Sequence, residues 1–100
     1  MKGIKIDATA KTVTEVEVNG LTDMQMIVGG YIESAMYLGK QDHVLFVDEE
    51  GLLKRGLDSF YFNGRMFVGN GLIVGFSFKT GNNKDCKLSL KVIKNLTKFP

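Results

Sequence analysis

Tryptophan is absent from this chain, and cysteine, histidine and proline occur once each. Cys86 alone cannot close an intrachain disulfide, and one cysteine with one histidine cannot supply the ligands of a structural zinc site. The proline is the last residue, Pro100, so no proline-rich linker divides the chain. Long apolar runs are missing too. The most apolar stretch, around residues 66–78, is interrupted by Gly69, Asn70, Gly71 and Gly75, whereas a membrane-spanning helix needs about 20 predominantly apolar residues. The opening MKGIKIDATAK has no apolar core of signal-peptide length. These absences predict one cytoplasmic domain over residues 1–100, with no metal, no cofactor and no membrane partner.

What is present suits a small globular protein. The composition is 44% hydrophobic and 24% charged, and a chain of this length buries roughly two-thirds of its unfolded surface in one core. The net charge of +2 hides an asymmetry. Residues 1–58 carry ten acids against six lysines and arginines; residues 59–100 carry one acid against seven. Either the basic part meets an anionic partner, or the two parts neutralise each other in the folded domain.

Periodicity then places the elements. Lys2–Ile6 and Thr12–Val18 read as strands joined by a turn at 7–11, because β-branched residues alternate with Glu15 and Glu17. Asn19-Gly20 signals a turn, Thr22 is a helix cap, and a short helix near 22–28 ends at Gly29. Tyr31–Leu38, His43–Val47, Phe60–Phe62, Met66–Val68 and Leu72–Phe78 read as further strands, separated by Gly, Asn and Asp turns. In the last segment Lys87, Lys91, Lys94 and Lys98 recur at helical spacing opposite Leu88, Val92, Leu96 and Phe99, with Ser89 as a cap. That spacing predicts a C-terminal helix near 89–98. The sum is an α+β fold with a mostly antiparallel sheet and its helices on one side.

The chemistry on offer is sparse. Asp48-Glu49-Glu50-Gly51 places three carboxylates together, but adjacent turn residues point apart, and D-x-x-G reads first as a solvated turn. His43 follows Asp42, yet no G-x-S-x-G accompanies it. Cys86 lies among Lys84, Asp85 and Lys87, and flanking lysines would lower a thiol's pKa, but no base is placed for it. Nothing assigns a catalytic residue. Gly29-Gly30 follows a helix, whereas phosphate-binding glycines precede one. The functional content of that stretch therefore shifts to Tyr31 and Glu33, which share one strand face. Arg65 and Asn70 fall at loop tips, where arginine suits bidentate contact with phosphate. The lysines at 87, 91, 94 and 98 form a stripe that could meet nucleic-acid phosphates, although it lacks the Arg, Asn or Gln that reads base edges.

Three segments, VGGYIE at 28–33, LFVDEEGLLK at 45–54 and FVGNGLIVG at 67–75, give the chain a resemblance. It resembles the domain-of-unknown-function family numbered 3846, small proteins encoded mainly by bacteriophages, plasmids and their bacterial hosts. In that family a Gly-Leu-Pro-x-Asn stretch usually follows the acidic turn. Here Arg55-Gly56-Leu57-Asp58-Ser59 lacks the proline, and the next asparagine is Asn63. The resemblance implies a mobile-element context inside a bacterial host cell and no particular activity.

Three expectations follow. The favoured one is a non-catalytic binder of a small anionic ligand, a nucleotide-like immune signal of the host, held by Tyr31, Glu33, Arg65 and Asn70, with homo-oligomerisation deepening the site. The second is a nucleic-acid-binding accessory protein working through Lys87, Lys91, Lys94 and Lys98. The third is a protein-interaction module that inhibits a host enzyme through a sheet edge or its acidic first half.

Overall fold

The computed structural model describes residues 1–100. Strands β1 (Lys2–Asp7) and β2 (Thr12–Glu17) form the expected hairpin. Asp7 closes it, since its Oδ1 accepts from the Thr9 and Ala10 N–H groups at 3.1 and 3.0 Å. Helix α1 (Gly20–Val28) starts two residues earlier than expected, with Asn19 rather than Thr22 at its cap position. The acid of the first turn explains the difference: Asp23 Oδ2 reaches back to accept from the Asn19 N–H at 2.7 Å. Gly29 ends the helix in the left-handed conformation, φ 90°, as the glycine predicts.

The chain continues through β3 (Ile32–Leu38), β4 (His43–Asp48), a 3-10 turn at Gly51–Leu53, β5 (Ser59–Phe62), β6 (Arg65–Val68), β7 (Gly71–Phe76) and β8 (Asn83–Lys84). It closes with α2 (Leu90–Leu96) and β9 (Thr97–Lys98). The α+β expectation holds, but the strands divide into two sheets. The larger has the order β2-β1-β7-β4-β3, with β8 also on β7; the smaller has the order β6-β5-β9. Every pairing in both is antiparallel.

The layers follow from alternation along the central strands β4 and β7, which are buried along nearly their whole length. Val44, Phe46, Leu72 and Val74 project to one face and meet Met24 and Val28 of α1. Leu45, Val47 and Ile73 project to the other and meet Phe60, Phe62 and Phe67 of the small sheet and Ile93 of α2. A strand covered on both faces reads as a continuous apolar run, which is how HVLFV appears in the sequence. Each fully buried Leu, Ile or Phe stabilises the fold by roughly 1.5–3 kcal/mol relative to exposure.

Two expectations are corrected here. The helices lie on opposite faces of the large sheet, not on one side, because α1 and α2 belong to different core clusters. The C-terminal helix is also shorter and rotated. Ser89 caps it as expected, its side chain accepting from the Val92 N–H at 3.1 Å. However, Ile93 is buried, with Leu90 partly so, while Val92 and Leu96 are 47% and 37% exposed. The helix stops at Leu96 because Thr97 and Lys98 turn into a strand beside Phe62 and Tyr61.

Candidate functional site

The end of helix α1, the end of β4 and the end of β6 meet at one corner of the molecule. Asp48 is the last residue of β4, and its side chain is only 2% exposed. Its Oδ1 accepts from the Glu50 N–H at 2.9 Å, and Lys54 Nζ reaches its Oδ2 at 2.5 Å. Lys54 Nζ also donates to the Gly29 carbonyl at 2.9 Å, so one ammonium satisfies a buried carboxylate and the helix C-terminus together. The Glu49 N–H donates to the Tyr31 carbonyl at 2.9 Å. Asp48 is therefore a buried joint and not part of a solvated acidic turn. The pairing went unread in the sequence because the 3-10 turn, which folds Lys54 back across six residues, leaves no local pattern.

A groove of about 280 Å³ opens beside this corner, between β3, the acidic turn and β6. Glu33, Asp48, Glu49 and Arg65 are its charged lining residues; Ala35, Val47, Leu52, Met66, Phe67 and Val68 form its apolar walls. Arg65 starts β6, where its guanidinium sits 5.1 Å from the centre of the Phe67 ring. Its Nη1 makes a long 3.5 Å contact to the Ala35 carbonyl, and no carboxylate lies within ion-pair distance of it. With Asp48 neutralised by Lys54, the groove holds one free cation and the free carboxylates of Glu33 and Glu49.

The expected four-residue rim is thus divided. Glu33 and Arg65 share the groove. Tyr31, two-thirds exposed, precedes β3 and lines a separate shallow cleft with Gln25, Gly30, Asp48, Glu50 and Lys54. Asn70 is turned inward: its Oδ1 accepts from the Ala8 N–H at 2.9 Å, and its Nδ2 faces the Ile27 carbonyl at 3.4 Å. It stitches the β1–β2 turn to α1, so its amide is not offered to a ligand.

The chain matches the family model described as "Domain of unknown function (DUF3846)" over residues 1–99. It belongs to that family. No curated protein and no solved structure matches it. The three segments that carry the resemblance converge in this DUF3846 chain at the corner just described. Gly29 and Gly30 come from the first, Asp48, Gly51 and Lys54 from the second, and Val68 from the third. A Cβ at Gly51 would lie 2.7 Å from the Val68 carbonyl oxygen, which fixes the close approach of the turn to β6.

The lysines of the DUF3846 chain do not form one helical stripe. Lys91 and Lys94 are on α2, Lys87 precedes it, and Lys98 is in β9. The reason is the early end of the helix: a strand turns its side chains every second residue, which breaks the helical spacing. Lys94 instead shares an open groove of about 400 Å³ with Lys11, Thr12, Thr14, Thr97 and Phe99.

The remaining reactive groups are tied into the fold. His43 is 4% exposed; the Lys87 N–H donates to its Nε2 at 3.0 Å, and its Nδ1 lies 2.9 Å from Asp42 Oδ1. An accepting Nε2 leaves the proton on Nδ1, which donates it to Asp42. The His43 ring holds the Asp42 carboxyl below the usual carboxylate range. Cys86 is buried beneath β1 and α2, and that burial pushes its thiol up, not down as flanking lysines alone would have it. No helix is long and apolar enough to cross a membrane.

Proposed function

We propose that this DUF3846 chain is a non-catalytic binding protein for a small, nucleotide-like anion, held in the groove between β3, the acidic turn and β6. The observation that carries the reading is the Arg65 guanidinium, seated on Phe67 without a carboxylate partner and sharing a groove with Glu33. Arginine matches phosphate oxygens with paired N–H donors. A carboxylate such as Glu33 accepts from the amino and imino N–H groups of a base, and the Met66, Phe67 and Leu52 walls suit its apolar faces. A simple dianion fits less well, since Glu33 and Glu49 would repel it. A ligand with an anionic end and a hydrogen-bond-donating edge fits both charges.

Binding without turnover is supported by the state of the groups that would do chemistry. Both nitrogens of His43 are engaged, and the Cys86 thiol is buried and unactivated. In the mobile-element setting that the family resemblance implies, the role in this reading is sequestration of a nucleotide immune signal of the bacterial host, in the cytoplasm. Native mass spectrometry of the purified protein tests it: the reading expects a mass excess equal to a nucleotide, released on denaturation, and reports the subunit number in the same spectrum. A bare polypeptide mass that also stays bare after incubation with nucleotides contradicts it.

A further inference from the structure

On the opposite side of the molecule, the α1 face of the large sheet carries three aromatic side chains in mutual contact. Tyr37 on β3 lies 5.8 Å from Phe76 at the end of β7 and 5.1 Å from Phe78; Phe76 and Phe78 are 4.8 Å apart and nearly perpendicular, at 87°. Phe76 is the inner member, packed against the α1-side core. Tyr37 and Phe78 remain 44% and 59% exposed. Large aromatics left in water together, on a surface held rigid beneath them, offer a face that a partner can cover.

The outer rings are held in place, Tyr37 by strand β3 and Phe78 by an ordered loop. The Phe76 N–H donates to the Asp42 carbonyl at 2.7 Å, which ties the β3–β4 turn to the end of β7. The loop bearing Phe78 closes on itself: Ser77 N–H donates to the Asn82 carbonyl at 3.0 Å and Gly81 N–H to the Ser77 carbonyl at 2.7 Å. These bordering turns bring Lys40 and Lys79, and neither is ion-paired. The acid among them, Asp42, has its carboxylate turned to His43. A ring N–H donor leaves Asp42 its charge, so two lysines against one carboxylate make the border net positive.

We infer that the Tyr37, Phe76 and Phe78 cluster is a stacking platform for single-stranded nucleic acid, with Lys40 and Lys79 meeting its phosphates. Unpaired bases present π-faces of any sequence to exposed aromatics, and flanking cations track the backbone; that pairing of features is how sequence-tolerant single-strand binders work. Duplex DNA hides those faces in its stack. The inference is independent of the Arg65 groove, which lies at another part of the fold.

Fluorescence anisotropy with a labelled oligothymidylate of about 15 nucleotides tests the platform. At about 50 mM salt the wild-type protein binds the single strand and binds a duplex of the same length at least about tenfold more weakly, with affinity falling as salt rises. Phe78→Ala and Tyr37→Ala each weaken binding by about fivefold or more, Phe78→Tyr retains it, and Arg65→Ala leaves it unchanged. Both outer rings are exposed, so the variants are expected to keep wild-type melting curves by circular dichroism. Absent binding, equal binding of duplex, or alanine variants that bind like wild type overturn the proposal. So does sedimentation showing that the alanine variants dissociate a wild-type oligomer, which would give this face to a second copy of the chain.

Discussion

A methyl group at position 30 would lie 2.6 Å from Asp48 Oδ1 and 2.8 Å from its Oδ2. Gly30 is therefore the surface against which the buried carboxylate rests, and the glycine pair of the VGGYIE segment divides its work. Gly29 supplies the left-handed helix stop, while Gly30 supplies room. Gly30→Ala should destabilise the protein by about 1–3 kcal/mol, the usual cost of overpacking a rigid site. Urea denaturation checks it; a midpoint equal to wild type would mean that the Asp48 side chain has room to move.

The Asp48–Lys54 pair makes a second prediction. Lys54→Met leaves a buried carboxylate without its cation, which should cost about 2–3 kcal/mol, below the fully buried case because Lys54 is itself 37% exposed. Asp48→Asn with Lys54→Met should cost less than the sum of the two single changes, since both remove one interaction. Additive losses in a double-mutant cycle would show that the two side chains do not act as a pair.

Acid stability follows from two other carboxylates. Asp7 is held below its ordinary value chiefly by the Ala10 N–H, and Asp42 chiefly by the His43 ring. Folding thus favours their ionised forms. The stability they contribute is complete above the unfolded carboxyl value of about 4 and is lost as pH falls through the lower folded values. The urea midpoint should hold level through the neutral range and drop below about pH 4. Asp7→Asn should flatten that drop; an unaltered acid limb would remove Asp7 from the account.

Local signals carried much of the fold. Ser89 as a cap, Gly29 as a helix stop and HVLFV as a central strand all rest on physics within a few residues, and each appears where the pattern put it. The division into two sheets was not legible, because β8 and β9 are two-residue strands with no periodicity to detect. The helix rotation at Ile93 was missed for a related reason: the helix spans only seven residues, and a wheel drawn over 89–98 averages in a strand. Of the candidate site, Glu33 is legible from its strand face and Arg65 from its loop tip, and the fold brings them to one groove. The inward hydrogen bond of Asn70 was not legible because its partner Ala8 lies 62 residues away. The aromatic platform was invisible for the same reason, since Tyr37 and Phe78 become neighbours only through the pairing of β4 with β3 and β7.

The central claim is that a nucleotide-like ligand occupies the Glu33–Arg65 groove, and a thermal-denaturation screen against mononucleotides and cyclic nucleotides, run on wild type and Arg65→Ala, tests it most directly. A ligand at one hundred times its dissociation constant should stabilise the wild type by about 2.7 kcal/mol and leave Arg65→Ala at its unliganded melting temperature. No shift with any nucleotide, or an equal shift in the variant, would contradict it.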